Sequence, residues 1–534
     1  MAKNDAGQKK RDEFFSGVLI LSLSAVIVKV IGLIYKIPML RLLGSEGMGY
    51  FNSAYEVYVL FCSIATTGLP VAMAVMISSK KGNESESKRI FRVSLRLFLI
   101  LGGLGSIIML AFAKGFASFL GSEMALPCML AISPAVLLIC VSGAYRGYFQ
   151  GKGRMAPTAL SQTIEALGKL ILGLAFALLA LNVGAETHIV AAMAVVGLTV
   201  GTAVSSLFLA VTKRLGDRKD LLLFTSADSA ECILPTLLKT AVPVTLSSCI
   251  VSLTKVVDMS TILRRLQALG ESSEEAFALY GSYTTLALPL FSLAPALVTS
   301  VAMPLIPSLS GAVAKGDGEE QSRVVKDALR LTVLISAPAS VGLTLFSSPI
   351  LHLIFSGERV AIATAAPLLS ILGLSVTLSC LITVGNAVLQ AYGKAHVPMI
   401  SMAVGSLIKI AVTYLLMGDP DVGLLGAPIG TLCCDLVINI INFYFIGRVT
   451  FGISIVSDVL LRPYLSALLA VCLSRVAYNR LCSRLGESAL ITIASIMFAA
   501  LLYFVIALIS GAIKTEDALT FLEKSRLNKE KQTQ

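Results

Sequence analysis

Long apolar stretches, returning again and again between short polar breaks, constrain this chain more than anything else in it. They fall at about 14–39, 50–78, 91–113, 124–149, 155–182, 187–212, 235–263, 277–311, 327–355, 360–392, 397–417, 421–447, 458–480 and 487–512. Each meets or exceeds the roughly 20 residues a helix needs to cross a bilayer core. Such a helix bonds its own backbone groups, which water cannot do there. The runs do not alternate with period two, so a β-barrel is excluded. Of 534 residues 56% are hydrophobic and only 14% charged, with a mean hydropathy of +0.85, whereas a soluble domain is about a quarter charged. The expected fold is an all-α integral membrane protein of about fourteen transmembrane helices. The first run is too long for a signal-peptide core and lacks a small-residue cleavage site, so it is read as a retained helix.

The formal net charge of +11 would suit nucleic acid, but in a membrane protein it reads as positive loops facing the cytoplasm and anionic lipid. Loops assigned alternately from an inner start carry 28 Lys and Arg on one side against seven on the other. That bias predicts a multi-pass protein of the cell membrane with both termini cytoplasmic. Ten cysteines without a CxxC spacing and three scattered histidines predict neither a disulfide framework nor a metal or cofactor site. Membrane lipids are the expected surroundings, no nucleic acid is a partner, and the chain is read as monomeric.

An internal repeat is visible. Gln150, Gly153, Arg154 and Lys169 recur as Gln390, Gly393, Lys394 and Lys409, each 240 positions later. Lys29 and Pro70 recur as Lys255 and Pro295 at offsets of 226 and 225. The expected organisation is a lobe at 1–232 with helices 1–6, a second at 233–448 with helices 7–12, and 449–534 holding helices 13–14 and a cytoplasmic tail. Parallel repeats of this kind typify transporters that bind substrate between halves.

Enzyme signatures are missing. There is no GxxxxGK[ST] loop, no HExxH, no GxSxG, and the only D-x-D, Asp419-Pro420-Asp421, reads as a helix-ending turn. The charges inside apolar runs say more, because each costs a few kcal/mol at mid-membrane. Lys29 and Lys255 reach similar depths in equivalent helices; either each snorkels to the headgroups or both line a cavity, and the repeated placement favours the cavity. Asp258, three residues after Lys255, is its candidate intrahelical partner, and Glu165 is that of Lys169 at i,i+4. Lys409 has Gly405 at the corresponding place and needs another partner. Lys36 and Arg41 read as anchors at the outer interface. Asn386, Asp435, Asn439 and Asn442 read as interhelical hydrogen-bonding groups, and the prolines from 289 to 307 predict a bent helix 8.

The segments RLLGSEGMGYFNSAYEVYVLFCSIATTGLPVA (41–72), YRGYFQGKGRMAPTALSQTIEALGK (145–169), ALYGSYTTLALPLFSLAPALVTSVAMPLIPSLS (278–310), VLQAYGKAHVPMISMAVGSLIKIAVTYLL (388–416) and LLGAPIGTLCCDLVINIIN (424–442) resemble the stage V sporulation protein B group. That group belongs to the polysaccharide exporter branch of the multidrug/oligosaccharidyl-lipid/polysaccharide (MOP) superfamily. The resemblance implies a fourteen-helix flippase for undecaprenyl-diphosphate-linked cell-wall precursor, related to the lipid II flippases. It further implies cations lining a central cavity, helices 13 and 14 forming a groove for the lipid tail, and a link to the spore cortex. A drug or cation antiporter of the same superfamily is the alternative. Lys29, Lys255, Asp258, Glu165, Lys169 and Lys409 are the candidate substrate-binding residues.

Overall fold

The computed structural model describes residues 2–79, 83–216, 230–448 and 460–512. Among them the chain is helical throughout, with no strand. Twelve stretches are long and apolar enough to cross a membrane. The difference from the expected fourteen has two sources. The first stretch, Ser24–Ser79, holds 56 residues, about 84 Å at 1.5 Å per residue, so it has length for two crossings. The other source is α8 (Ala230–Ala268), 39 residues long but not among the twelve.

The long first stretch is broken within α1 (Ala2–Thr66) at Gly44, whose φ of 64° and ψ of 179° are not helical. That backbone region is open essentially to glycine alone. Helix α2 (Gly68–Ser79) follows, then α3 (Glu84–Ala111), started by Asn83, whose side chain accepts the Glu86 N–H. Next come α4 (Ala113–Phe119), α5 (Leu126–Gly151), α6 (Met155–Asn182) and α7 (Thr187–Gly216). Helix α9 (Ser273–Ser282) begins with a capping box between Ser272 and Glu275. One π-helical turn, Tyr283–Ala287, leads from α9 into α10 (Leu288–Lys315). The prolines behind the expected bend stand in α10, but the side chains of Pro304 and Pro307 lie outside those described. Then follow α11 (Gly318–Leu345), α12 (Ser347–Ile354), α13 (Arg359–Ala391), α14 (His396–Leu416), α15 (Gly426–Gly447), α16 (Arg462–Leu485) and α17 (Ala489–Ile509).

Contacts divide the chain into two compact units, Met1–Thr285 with Ile410–Gly426, and Leu286–Lys409 with Ala427–Gln534. In the first, Met73, Phe91, Phe98, Tyr148, Phe149, Leu209 and Leu237 pack α2, α3, α5, α7 and α8 together. In the second, Val298, Leu329, Val333, Val376, Val388, Ile446, Tyr478 and Tyr503 do the same for α10, α11, α13, α15, α16 and α17. Large side chains also point outward, among them Ile107, Ile171, Leu207, Met497, Leu501 and Ile509. Apolar surface on this scale is costly against water and unremarkable against lipid. The expected polar stretch at 213–232 and the cytoplasmic tail fall largely outside the described residues.

Candidate functional site

The site in the first unit rests on a close approach of α6 and α7. A side chain at Gly168 would lie 2.7 Å from the Gly201 Cα, and one at Gly201 would lie 2.9 Å from the Lys169 backbone nitrogen. Two glycines facing each other let the helix backbones meet, as small residues do in membrane helix packing. This fixes where Lys169, the next residue along α6, can project.

Lys29, Tyr35, Tyr55, Tyr58, Arg146, Gln162, Glu165 and Lys169 line a cavity of about 440 Å³ bounded by α1, α5, α6 and α7. Three cations thus face one carboxylate. The Arg146 guanidinium donates from Nη2 to Glu165 Oε2 at 2.8 Å, from Nε to Ser161 Oγ at 3.0 Å, and from Nη2 to Ser205 Oγ at 3.5 Å. The ion pair keeps only 13% and 28% of its two side chains exposed. Lys169, the partner expected for Glu165, stays within electrostatic reach of it while the close ion pair goes to Arg146. Lys169 sits over aromatic rings instead, 4.5 Å from the centroid of Tyr55 and 5.1 Å from those of Tyr35 and Phe51. Each ring offers its negative face to the ammonium. A forked guanidinium reaching across from α5 outcompetes an ammonium one turn away, because it bonds carboxylate and hydroxyls together. Arg146 stands inside α5, near its C-terminal end.

Lys36 is corrected in the same way. Rather than anchoring at a headgroup, it is half-buried and donates from Nζ to the Thr284 carbonyl at 2.7 Å. Asn52 Nδ2 donates to the hydroxyls of Thr284 and Thr285, both at 2.9 Å. One turn beyond Asn52, the Glu56 Oε2 is buried without a hydrogen-bond partner. Lys169 and Glu56 both lie within electrostatic reach of Lys36.

Of the six residues singled out in the sequence, Lys29, Glu165 and Lys169 meet at the cavity. Lys255, on α8, is exposed and near enough for its charge to act on Lys29. Asp258 is buried on the same helix. Lys409 belongs to the second unit, where its charge acts on Asp435 of α15; an acid from another helix supplies what Gly405 does not. Asp435 also accepts a short hydrogen bond from Ser379.

The second unit holds a polar node of its own. Asn442 Nδ2 donates to Asn386 Oδ1 at 2.9 Å, and Ser401 Oγ donates to Asn442 Oδ1 at 2.8 Å. Asn386 and Ser401 stand 240 positions after Arg146 and Ser161, the offset that relates Lys169 to Lys409. Helices α13 and α14 are joined at the positions that join α5 and α6, while on α15 Asn442 corresponds at that offset to Thr202 rather than Ser205. Sequence reasoning missed Arg146 and the rings of Tyr35, Phe51 and Tyr55. The repeat offset applied to Ser161 and Ser401 was the available signal for the former; the latter left none.

Comparison with known proteins places these features. The polysaccharide biosynthesis protein family matches residues 14–312 and the MatE family residues 243–415. Stage V sporulation protein B of Bacillus subtilis (strain 168) is 26% identical over 82% of this chain and 84% of its own length. The lipid II flippase MurJ of the same organism is 24% identical over 75% and 77%. A solved structure of lipid II flippase MurJ in an inward closed conformation shares the fold, with a TM-score of 0.71 and 16% identity over 92% of this chain and 98% of that one. An inward-facing multidrug resistance MATE family transporter of the MOP superfamily gives a TM-score of 0.62 at 18% identity, over 79% and 97%.

Proposed function

The chain belongs to the polysaccharide biosynthesis protein family, and on that premise we propose that it is a flippase. Its substrate is an undecaprenyl-diphosphate-linked peptidoglycan or polysaccharide precursor, carried across the cytoplasmic membrane by alternating access. The observation that carries this reading is the cavity of about 440 Å³ in which Lys29, Arg146 and Lys169 face Glu165 alone. A diphosphate drawn below the headgroups loses hydration worth many kcal/mol and needs counter-charge. Lys29 and Lys255 supply ammonium groups close enough for their charges to interact, so an anion between them would be attracted by both. Lysine suits transient capture because it binds as a point charge rather than a rigid fork. In this reading the protein moves its substrate without changing it.

Production of the chain in a cell depleted of its own lipid II flippase is the direct test. Restored growth supports the reading, and lysis at the depleted rate refutes it. A drug or cation antiporter is the second reading, favoured by the MatE match at 243–415; raised drug tolerance without rescue would select it. Both termini are placed in the cytoplasm on the 28-to-7 bias, with thiols introduced at Gln321 labelled from inside and at Ser272 from outside. Ser226, a further inner site for labelling, lies outside the described residues.

A further inference from the structure

The three rings under Lys169 form a cage that α1 builds by itself. Tyr35 stands before the break at Gly44, and Phe51 and Tyr55 stand after it. The rings neighbour one another, with centroids 6.0 Å apart for Tyr35 and Phe51 and 6.5 Å apart for Phe51 and Tyr55. Tyr35 and Phe51 are each 1% exposed, so close packing fixes these two rings in place. Tyr35 and Tyr55 also border the cavity of the first unit, where Lys29, Arg146 and Lys169 gather.

Two of the cations on this cavity differ in how firmly they are held. The Arg146 fork is committed to Ser161, Ser205 and Glu165, and withdrawing it would strand a half-buried carboxylate. Lys169 rests 4.5 to 5.1 Å from its three ring centroids, with the Glu165 charge in reach. Ring faces attract a cation without the directed, charge-assisted hydrogen bonds that a phosphate oxygen offers. The ammonium also sits on a flexible four-carbon stem. It can leave the rings while the α6 backbone stays against α7 at Gly168 and Gly201.

We propose that Lys169 is a transferable phosphate ligand: a diphosphate in the cavity draws its ammonium off the Tyr35, Phe51 and Tyr55 rings, which compete with the substrate for it. This rests on the flippase reading and adds a release device, since the cage reclaims the ammonium as the diphosphate leaves. Affinity is then reduced by the fraction of molecules in which Lys169 is caged. Weakening the cage tightens binding.

The test measures farnesyl diphosphate binding to the full chain in lipid nanodiscs. Tyr55→Leu should bind about twofold to fivefold more tightly, for the loss of one ring contact. Tyr55→Phe keeps a ring face and should stay within about twofold of the unaltered protein. Lys169→Met should bind about tenfold more weakly. Should Tyr55→Leu fail to fold, Phe51→Leu removes another ring and carries the same expectation. The unaltered protein supplies a second readout. With its lysines dimethylated with carbon-13, it should give a methyl signal displaced upfield by the rings and absent from Lys169→Arg. Farnesyl diphosphate should return that signal toward the position of a free lysine. Unchanged or weaker binding by the folded ring variants overturns the transfer. So does a Lys169 signal that stays upfield while the Lys29 signal, assigned with Lys29→Arg, moves; the flippase reading then stands without it. If the unaltered protein binds no farnesyl diphosphate, the transfer and the cationic-cavity reading fall together.

Discussion

The α5–α6–α7 group and the α13–α14–α15 group place polar side chains at matching positions on their first two helices and fill them with different chemistry. In the first, Arg146 joins Ser161, Ser205 and Glu165; in the second, Asn386 joins Asn442, which joins Ser401. An amide pair satisfies itself at little electrostatic cost and closes the packing. A guanidinium on the same framework must be paired, and it borders open space where a second cation, Lys169, rests on rings within reach of the Glu165 charge. At the shared position one group sets a forked guanidinium and the other an amide, while the charges of the second group, Lys409 and Asp435, act on each other.

Four changes probe this contrast, beginning with the largest effect. The double substitution Lys29→Gln with Lys255→Gln should reduce precursor flipping in reconstituted vesicles to background without lowering the thermal midpoint, because it removes two repelling cations. Normal flipping by that variant would end the cationic-cavity reading. Arg146→Leu should destabilise the first unit by roughly 2–3 kcal/mol, below the ~3–5 kcal/mol for breaking a fully buried pair, since Glu165 keeps 28% of its side chain exposed. A paired Arg146→Leu, Glu165→Leu variant should recover part of that loss in the same melting measurement. Asn442→Ala should cost about 1–2 kcal/mol for its two hydrogen bonds, with flipping by the folded fraction unchanged. A large transport defect there would erase the distinction between the two groups. Tyr55→Leu should cost under about 1 kcal/mol, one ring of the three around Lys169, read as a small downward shift in thermal midpoint.

The sequence carried the architecture well. Apolar runs located most of the helices, because a spanning segment must be both long and apolar; their ends were less legible, as α11 (Gly318–Leu345) begins in a charged turn ahead of the run at 327–355. Where the count differed, the reason was local: Gly44 bends a helix that the hydrogen-bonding pattern otherwise carries through, and α8 mixes its apolar residues with charges. Lys29, Glu165 and Lys169 were legible because ionisable groups in apolar runs are expensive and hence conspicuous.

Partners were not legible. From spacing alone Glu165 belonged with Lys169, and Lys36 belonged at an interface. Helical spacing reports only neighbours on one helix, while Arg146 and Thr284 come from elsewhere in the chain. The aromatic cradle of Lys169 draws on Tyr35, Phe51 and Tyr55, residues that read in sequence as ordinary apolar filling. The pattern of hydrophobicity thus determined by itself that this chain is a bundle of membrane helices with a few charges inside them. Which charges pair, which rest on rings and which face open space was decided only when the helices packed, because those energies depend on distances of a few ångströms between residues far apart in the chain.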